Sequence, residues 1–223
     1  MSSDTAKPCL IFAGCDKELI FPDEITVLDH GPVICADRGL EFCHNAGLKA
    51  DIAIGDFDSL DRSHLKMAED DGTKIMEYPA EKDETDLELA LKAAYRLGSR
   101  SCLVYGALGG RFDHELANVY LMKRFALMGM RMKLIGRSYS VELLNNERSV
   151  IIEGKTGATV SLIPMVDAVV GISTKGTKYE LHSDDMVCGS SRGVSNVVTQ
   201  DHAEISCVSG EAVVVVNNPS GAS

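Results

Sequence analysis

Six short apolar runs, Cys9–Phe12, Val33–Ala36, Ile52–Ile54, Lys74–Tyr78, Cys102–Tyr105 and Met132–Ile135, are spaced through the chain from Cys9 to about Gly136. Between the later runs lie segments with a helical period: Leu40–Ala46, Arg62–Asp70, Thr85–Leu97 and Asp113–Met128. Short runs alternating with helices predict parallel strands joined by crossover helices, an α/β domain with an open Rossmann-like sheet. The helix from Thr85 is the best defined. Leu87, Leu91, Ala94 and Leu97 recur at helical spacing, Asp83 or Thr85 can cap its start, and Gly98 stands where a C-terminal glycine belongs. The helix after Asp113 carries Leu116, Val119, Tyr120, Lys123 and Leu127, which predicts one apolar and one polar face.

Beyond about Arg137 the helical period vanishes. Val141–Leu144, Val150–Glu153, Thr159–Ile163, Val169–Ile172, Lys178–Leu181, Ala203–Val208 and Ala212–Val216 read as strands punctuated by Gly, Asn, Asp or Ser. Such a pattern predicts an antiparallel, sandwich-like all-β domain. The expected division is therefore an α/β domain over residues 1–138 and a β domain over 139–223, with Asn217–Ser223 a loose tail. The 223 residues allow one large domain or two small ones.

Charge excludes some partners. Against 22 Lys and Arg stand 33 Asp and Glu, a net charge of −11. Such a chain repels nucleic acid and anionic membrane at long range, so neither is an expected partner. No apolar stretch reaches the roughly 18 residues of a membrane span. The seven cysteines include no Cys-x-x-Cys pair and lie in apolar runs, so the expectation is buried, reduced thiols in a cytoplasmic protein.

The acids fall at informative places. In an open α/β sheet, ligands bind beyond the carboxyl ends of the strands. Val33–Ala36 is followed by Asp37-Arg38-Gly39, and Ile52–Ile54 by Gly55-Asp56-Phe57-Asp58-Ser59. Lys74–Tyr78 leads to Glu81-Lys82-Asp83-Glu84-Thr85-Asp86, and Cys102–Tyr105 to Gly106-Ala107-Leu108-Gly109-Gly110-Arg111-Phe112-Asp113-His114. Taken singly, these are ordinary turn and helix-start residues. Four such loops on one sheet edge would crowd carboxylates that repel one another unless a cation joins them. Mg²⁺ suits that setting, since it takes one or two carboxylates, waters and phosphate oxygens. Gly106, Gly109 and Gly110 would let backbone N–H groups approach phosphate, with Arg111 and Lys82 supplying positive charge. The residues thus point to a Mg²⁺–polyphosphate site. No G-x-G-x-x-G follows a run, and Gly154-Lys155-Thr156 fails as a P-loop because Ser149 replaces the first glycine.

The motifs together resemble the thiamin pyrophosphokinase family. Cys35-Ala36-Asp37-Arg38-Gly39, Ile54–Leu60, Glu81–Ala90, and Gly109–His114 with Asn118 carry the likeness in the first half. Gly176-Thr177-Lys178-Tyr179-Glu180-Leu181 and Gly193-Val194-Ser195-Asn196 carry it in the second. The resemblance implies a homodimer with active sites between subunits. It also implies transfer of a pyrophosphoryl group from ATP to the hydroxyl of thiamine, giving thiamine diphosphate and AMP. By the same likeness Asp56, Asp58 and Asp86 would hold Mg²⁺, with Asp37 beside the metal–phosphate cluster. Lys82, Gly109, Gly110 and Arg111 would bind phosphate. Thr85 would bind phosphate or only cap its helix. Asp113 would orient the thiamine hydroxyl or stand behind the residues that do. Ser195 and Asn196 would contact thiamine. Two features depart from the family: Arg38 stands where Asp-Gly-Gly is usual, and the chain has no Trp to stack on the thiamine ring. The competing readings are a Mg²⁺-dependent nucleotide or pyrophosphate hydrolase and a non-catalytic nucleotide sensor.

Overall fold

The computed structural model describes residues 7–14 and 25–218. The chain forms two compact units that meet in sequence at Arg137 and Ser138. Cys15 and all of the proposed tail beyond Asn218 lie outside the described residues.

The first unit runs β1 (Cys9–Phe12), β2 (Val33–Ala36), α1 (Gly39–Asn45), β3 (Ile52–Gly55), α2 (Arg62–Asp70), β4 (Lys74–Glu77), α3 (Asp86–Arg96), β5 (Ser101–Tyr105), α4 (Phe112–Ala126) and β6 (Arg131–Ile135). Its strands lie in the order β6-β5-β1-β2-β3-β4. Every adjacent pair is parallel. Strands β1, β2 and β3 are buried throughout, which is why they read as continuous apolar runs rather than alternating ones. Thr85 caps α3 by accepting the Glu88 N–H, and Gly98 closes it at φ 88°. Leu87, Leu91 and Ala94 are buried as expected, whereas Leu97 is exposed just past the helix end.

Helix α4 corrects one expectation. Its buried residues are Asn118, Met122 and Phe125, while Leu116, Tyr120 and Leu127 are exposed. The helix carries two apolar stripes, and Met122 and Phe125 belong to the one that packs. The cysteines are corrected too: Cys9, Cys35, Cys43 and Cys102 are buried, but Cys188 is exposed and Cys207 half-buried.

The second unit runs β7 (Tyr139–Asn145), β8 (Val150–Glu153), β9 (Thr159–Pro164), β10 (Ala168–Lys175), β11 (His182–Val187), β12 (Asn196–Val197), β13 (His202–Ser206) and β14 (Glu211–Asn217). Strands β12-β9-β14-β7 form one antiparallel set and β11-β10-β13-β8 another. Both sets contribute to one core: Leu144, Val160, Leu162 and Val214 from the first, and Ile152, Val169, Ile172 and Ile205 from the second. That is the sandwich-like arrangement, closed by hydrophobic burial between two antiparallel faces. Asn217 pairs with Tyr139 and Thr159, and the Asn218 N–H reaches Ser138 O, so the start of the proposed loose tail is in fact held.

Lys178–Leu181 is not a strand. β10 ends at Lys175, Gly176 turns at φ 72°, and the following strand is His182–Val187. Only Met186 of that strand is buried, and it lies at the edge of its sheet, so its polar sequence gave no strand signal. Residues 176–181 instead form a strap bonded largely by side chains, described below.

Candidate active site

Parallel pairing sends the carboxyl ends of β1 to β6 to the same edge. The strand order reverses at β1, whose neighbours are β2 and β5, and such a switch point opens a crevice for a ligand. Glycines line it. A Cβ on Gly106 would lie 2.1 Å from Ala13 O, and one on Gly14 would lie 2.8 Å from Arg38 Cβ. Gly14 was not among the sequence-predicted site residues; its only signal was that it directly follows the first run.

Asp37 leaves β2 at φ 47°, a left-handed conformation that few non-glycine residues adopt. Its N–H donates to Ile54 O at 2.7 Å, which holds the loop across the end of β3. Gly55 permits this closeness, since a Cβ there would come 3.0 Å from Asp37 Cα. Ser59 Oγ donates to Asp37 Oδ2 at 3.4 Å and ties the two loops together. Asp56 and Asp58 flank Phe57, which is itself left-handed at φ 55°, and Asp56 Oδ1 accepts the Asp58 N–H.

Asp37 is held above the ordinary carboxylate range. Burial is the largest cause; a backbone hydrogen bond from Arg38 opposes it; the charges of Asp86, Asp56 and Asp58 add to it. The four acids from three loops therefore share one electrostatic neighbourhood. Asp37 Oδ1 is buried with no hydrogen-bond partner. Asp86 Oδ1 is buried likewise; Lys82 Nζ lies 3.2 Å away as an ion pair outside hydrogen-bond geometry, and also donates to Pro79 O. Among the described residues, no three Asp, Glu, His or Cys side chains are grouped so as to hold a metal unaided. Mg²⁺ needs no such cage, because waters and phosphate oxygens complete its shell. Buried acceptor oxygens left unsatisfied beside mutually repelling carboxylates fit a cation of that kind.

Thr85 uses its hydroxyl as the α3 cap, so its side-chain oxygen already accepts a bond. Gly109 turns at φ 88° in the loop after β5, with Gly110 following it toward α4. Asp113 takes a fork from Arg111, Nε to Oδ1 at 3.1 Å and Nη2 to Oδ2 at 2.6 Å. The Arg111 hydrogen bond is the main cause holding the Asp113 carboxyl below its ordinary range. Asn118 Nδ2 donates to Ala107 O at 2.9 Å and fastens this loop to α4 from within the fold.

Ser195 and Asn196 belong to the second unit. Ser195 is left-handed at φ 64°, and its N–H donates to Ser161 Oγ. The Asn196 amide is largely committed within the fold. Its Oδ1 accepts from the N–H groups of Tyr179, at 3.0 Å, and Val197, at 2.8 Å, while Nδ2 donates to Tyr179 O at 2.8 Å. Asn196 thus joins the two second-half motifs, and this side-chain pairing takes the place of the strand expected at Lys178–Leu181.

Residues 27–134 match the catalytic domain of thiamin pyrophosphokinase, and residues 148–211 match its vitamin B1 binding domain. The thiamine pyrophosphokinase of Bacillus subtilis is 29% identical over 206 residues, covering 92% of this chain and 96% of that protein. Thiamine pyrophosphokinase 1 of rice (Oryza sativa subsp. japonica) is 31% identical over 166 residues, and this match spans 70% of the chain and 62% of the plant protein. The crystal structure of the Bacillus subtilis thiamine pyrophosphokinase superposes with a TM-score of 0.85 at 27% identity, over 95% of this chain and 99% of that one.

Proposed function

The chain belongs to the thiamin pyrophosphokinase family, and from that premise we propose that it transfers a pyrophosphoryl group from ATP to the hydroxyl of thiamine. The observation that carries this reading is the shared field of Asp37, Asp56, Asp58 and Asp86 at the switch-point edge of the sheet. Asp56, Asp58 and Asp86 would hold Mg²⁺, with Asp37 beside them. When bound, the ion would neutralise phosphate charge as it builds and fix the polyphosphate in line. Lys82 and Arg111 bring positive charge to the phosphate oxygens. The turn at Gly109 and Gly110 offers backbone N–H groups, and Thr85 keeps the first turn of α3 directed at the same edge. Asp113 grips Arg111 with both oxygens, which supports the role of holding that guanidinium in place over direct contact with the hydroxyl.

The thiamine O–H bond breaks, its proton passing to the departing phosphate or to water, and an oxygen–phosphorus bond forms at the β-phosphorus. The bond from that phosphorus to the α–β bridging oxygen breaks, and AMP leaves with the oxygen. Positioning and charge neutralisation supply most of the rate, since this transfer needs little covalent help. We also read the protein as a homodimer in which the metal cluster of one chain works with the thiamine contacts of the partner's β unit. The exposed apolar face of α4, with Phe112 and Leu127 each 77% exposed and Leu116 and Tyr120 alongside, supports an association surface. The free cysteines support a reducing, cytoplasmic setting.

The test is product analysis with ATP, Mg²⁺ and thiamine. Equal amounts of AMP and thiamine diphosphate are expected. ADP and phosphate formed without regard to thiamine would indicate the hydrolase. Mg²⁺-dependent ATP binding without turnover would indicate the sensor. Asp56→Ala and Asp86→Ala are each expected to lower turnover by about 100-fold or more, the scale of losing one preorganised charge contact.

A further inference from the structure

We propose that Arg38 sets the preference for the phosphate donor: its guanidinium binds the polyphosphate and so distinguishes a nucleoside triphosphate from a monophosphate. This deepens the proposed function and rests on ATP being the donor. Arg38 stands where the family likeness leads one to expect glycine, so that likeness assigns its side chain no role. The stem of the side chain begins at the crevice. The Arg38 N–H donates to the Asp37 carboxylate, and a Cβ on Gly14, just past β1, would lie 2.8 Å from Arg38 Cβ. Arg38 therefore bridges the ends of β1 and β2 at the switch point.

The other basic side chains placed at this edge are already engaged. Lys82 Nζ faces Asp86 at 3.2 Å and donates to Pro79 O, and Arg111 is forked on Asp113. Among the described residues the Arg38 guanidinium makes no hydrogen bond, and its one ion pair, with Glu41, is 3.8 Å long. Yet the side chain is only 30% exposed. A guanidinium is a donor-only group, and leaving its N–H groups partly out of water without acceptors costs free energy. Glu41 is a weak rival for it, because a long ion pair between partly exposed groups is worth little. A phosphate answers the need, since the planar fork of donors matches two of its oxygens. The location decides which part of the donor is bound. Asp37, Asp56, Asp58 and Asp86 share one field, which opposes the entry of any anion not joined to them by a cation. A fixed positive charge next to Asp37 offsets that field at the phosphates the metal carries, and not at the base or the ribose.

The test is titration calorimetry of the wild-type protein, Arg38→Gln and Arg38→Lys with ATP and with AMP, Mg²⁺ present and thiamine absent. The right-handed backbone at position 38 accepts either side chain. Arg38→Gln keeps a polar side chain without the charge. It should weaken ATP binding about tenfold, while AMP binding stays within about twofold. Arg38→Lys keeps the charge without the planar fork and should fall between the wild type and Arg38→Gln for ATP. In steady-state kinetics of the same variants the ATP KM should rise with the ATP Kd, and the thiamine KM should not move. An unchanged ATP Kd in Arg38→Gln, or equal weakening of ATP and AMP, would overturn the proposal. Failure of the wild-type protein to make thiamine diphosphate would instead overturn the function on which it rests.

Discussion

Arg38 takes φ −59° and ψ −11°, a right-handed conformation open to any side chain. The glycine usual at this place in the family is therefore not required by the backbone here. Asp37 beside it does carry the left-handed turn, and Gly39 carries the close approach. A second pair of residues has a consequence for pH. His44 Nδ1 and His64 Nδ1 lie 3.1 Å apart, with ring centroids 5.3 Å apart and planes 22° from parallel. At 3.1 Å one Nδ1 can donate to the other when a single ring carries the proton there. Burial first, and His64 second, hold His44 below its ordinary value, with Asp71 opposing. Between that lowered value and the ordinary one near 6.5, the unfolded chain binds more protons than the folded one. This contribution to stability is thus present at neutral pH and lost as pH falls through that window. Thermal unfolding followed from pH 7.5 to 5.5 should show a falling midpoint, and His44→Phe should flatten the slope.

The close approach at Gly39 ties α1 to β1. A Cβ there would stand 1.9 Å from Phe12 O and 2.4 Å from Phe12 C, both backbone atoms that cannot swing aside. Gly39→Ala should cost about 3 kcal/mol, measurable as a lowered midpoint in urea, because helix and strand must part to admit one methyl group. The elements of the first unit were legible because buried parallel strands are continuous apolar runs and each loop carries its own turn or cap chemistry. Thr85 and Gly98 mark α3 on both levels. The face of α4 was not legible, because hydropathy cannot rank two apolar stripes without the sheet they pack on. β11 was hidden because an edge strand with one buried residue in six has no hydrophobic reason to look like a strand. The acids were legible as positions along the chain. Their crowding on one sheet edge was legible too, from each loop directly following a strand; the left-handed turn that lays Asp37 against β3 was not, because it depends on the close approach at Gly55. The strap escaped notice for a related reason: Asn196 supports Tyr179 from 17 residues away through an amide, and no local pattern encodes such a bond.

At the scale of the whole molecule the two units match different parts of the family: residues 27–134 its catalytic domain and residues 148–211 its vitamin B1 binding domain. If each active site draws one part from each subunit, a symmetric dimer holds two such sites. Asp56→Ala in the first unit and Ser195→Ala in the second would then damage different halves of the same site. Mixing the two variants in equal amounts and allowing subunits to exchange should yield heterodimers with one site wholly intact and one doubly damaged. Random pairing restores about a quarter of the intact sites. Activity under limiting thiamine should rise above that of either variant alone; no rise after exchange would place both halves of the site in one chain. The strap adds a consequence of its own. Asn196 grips Tyr179 only through main-chain atoms, so the fastening is indifferent to which side chain projects from it. Position 179 is a socket: its side chain can be exchanged while the fastening beneath it stays as it is.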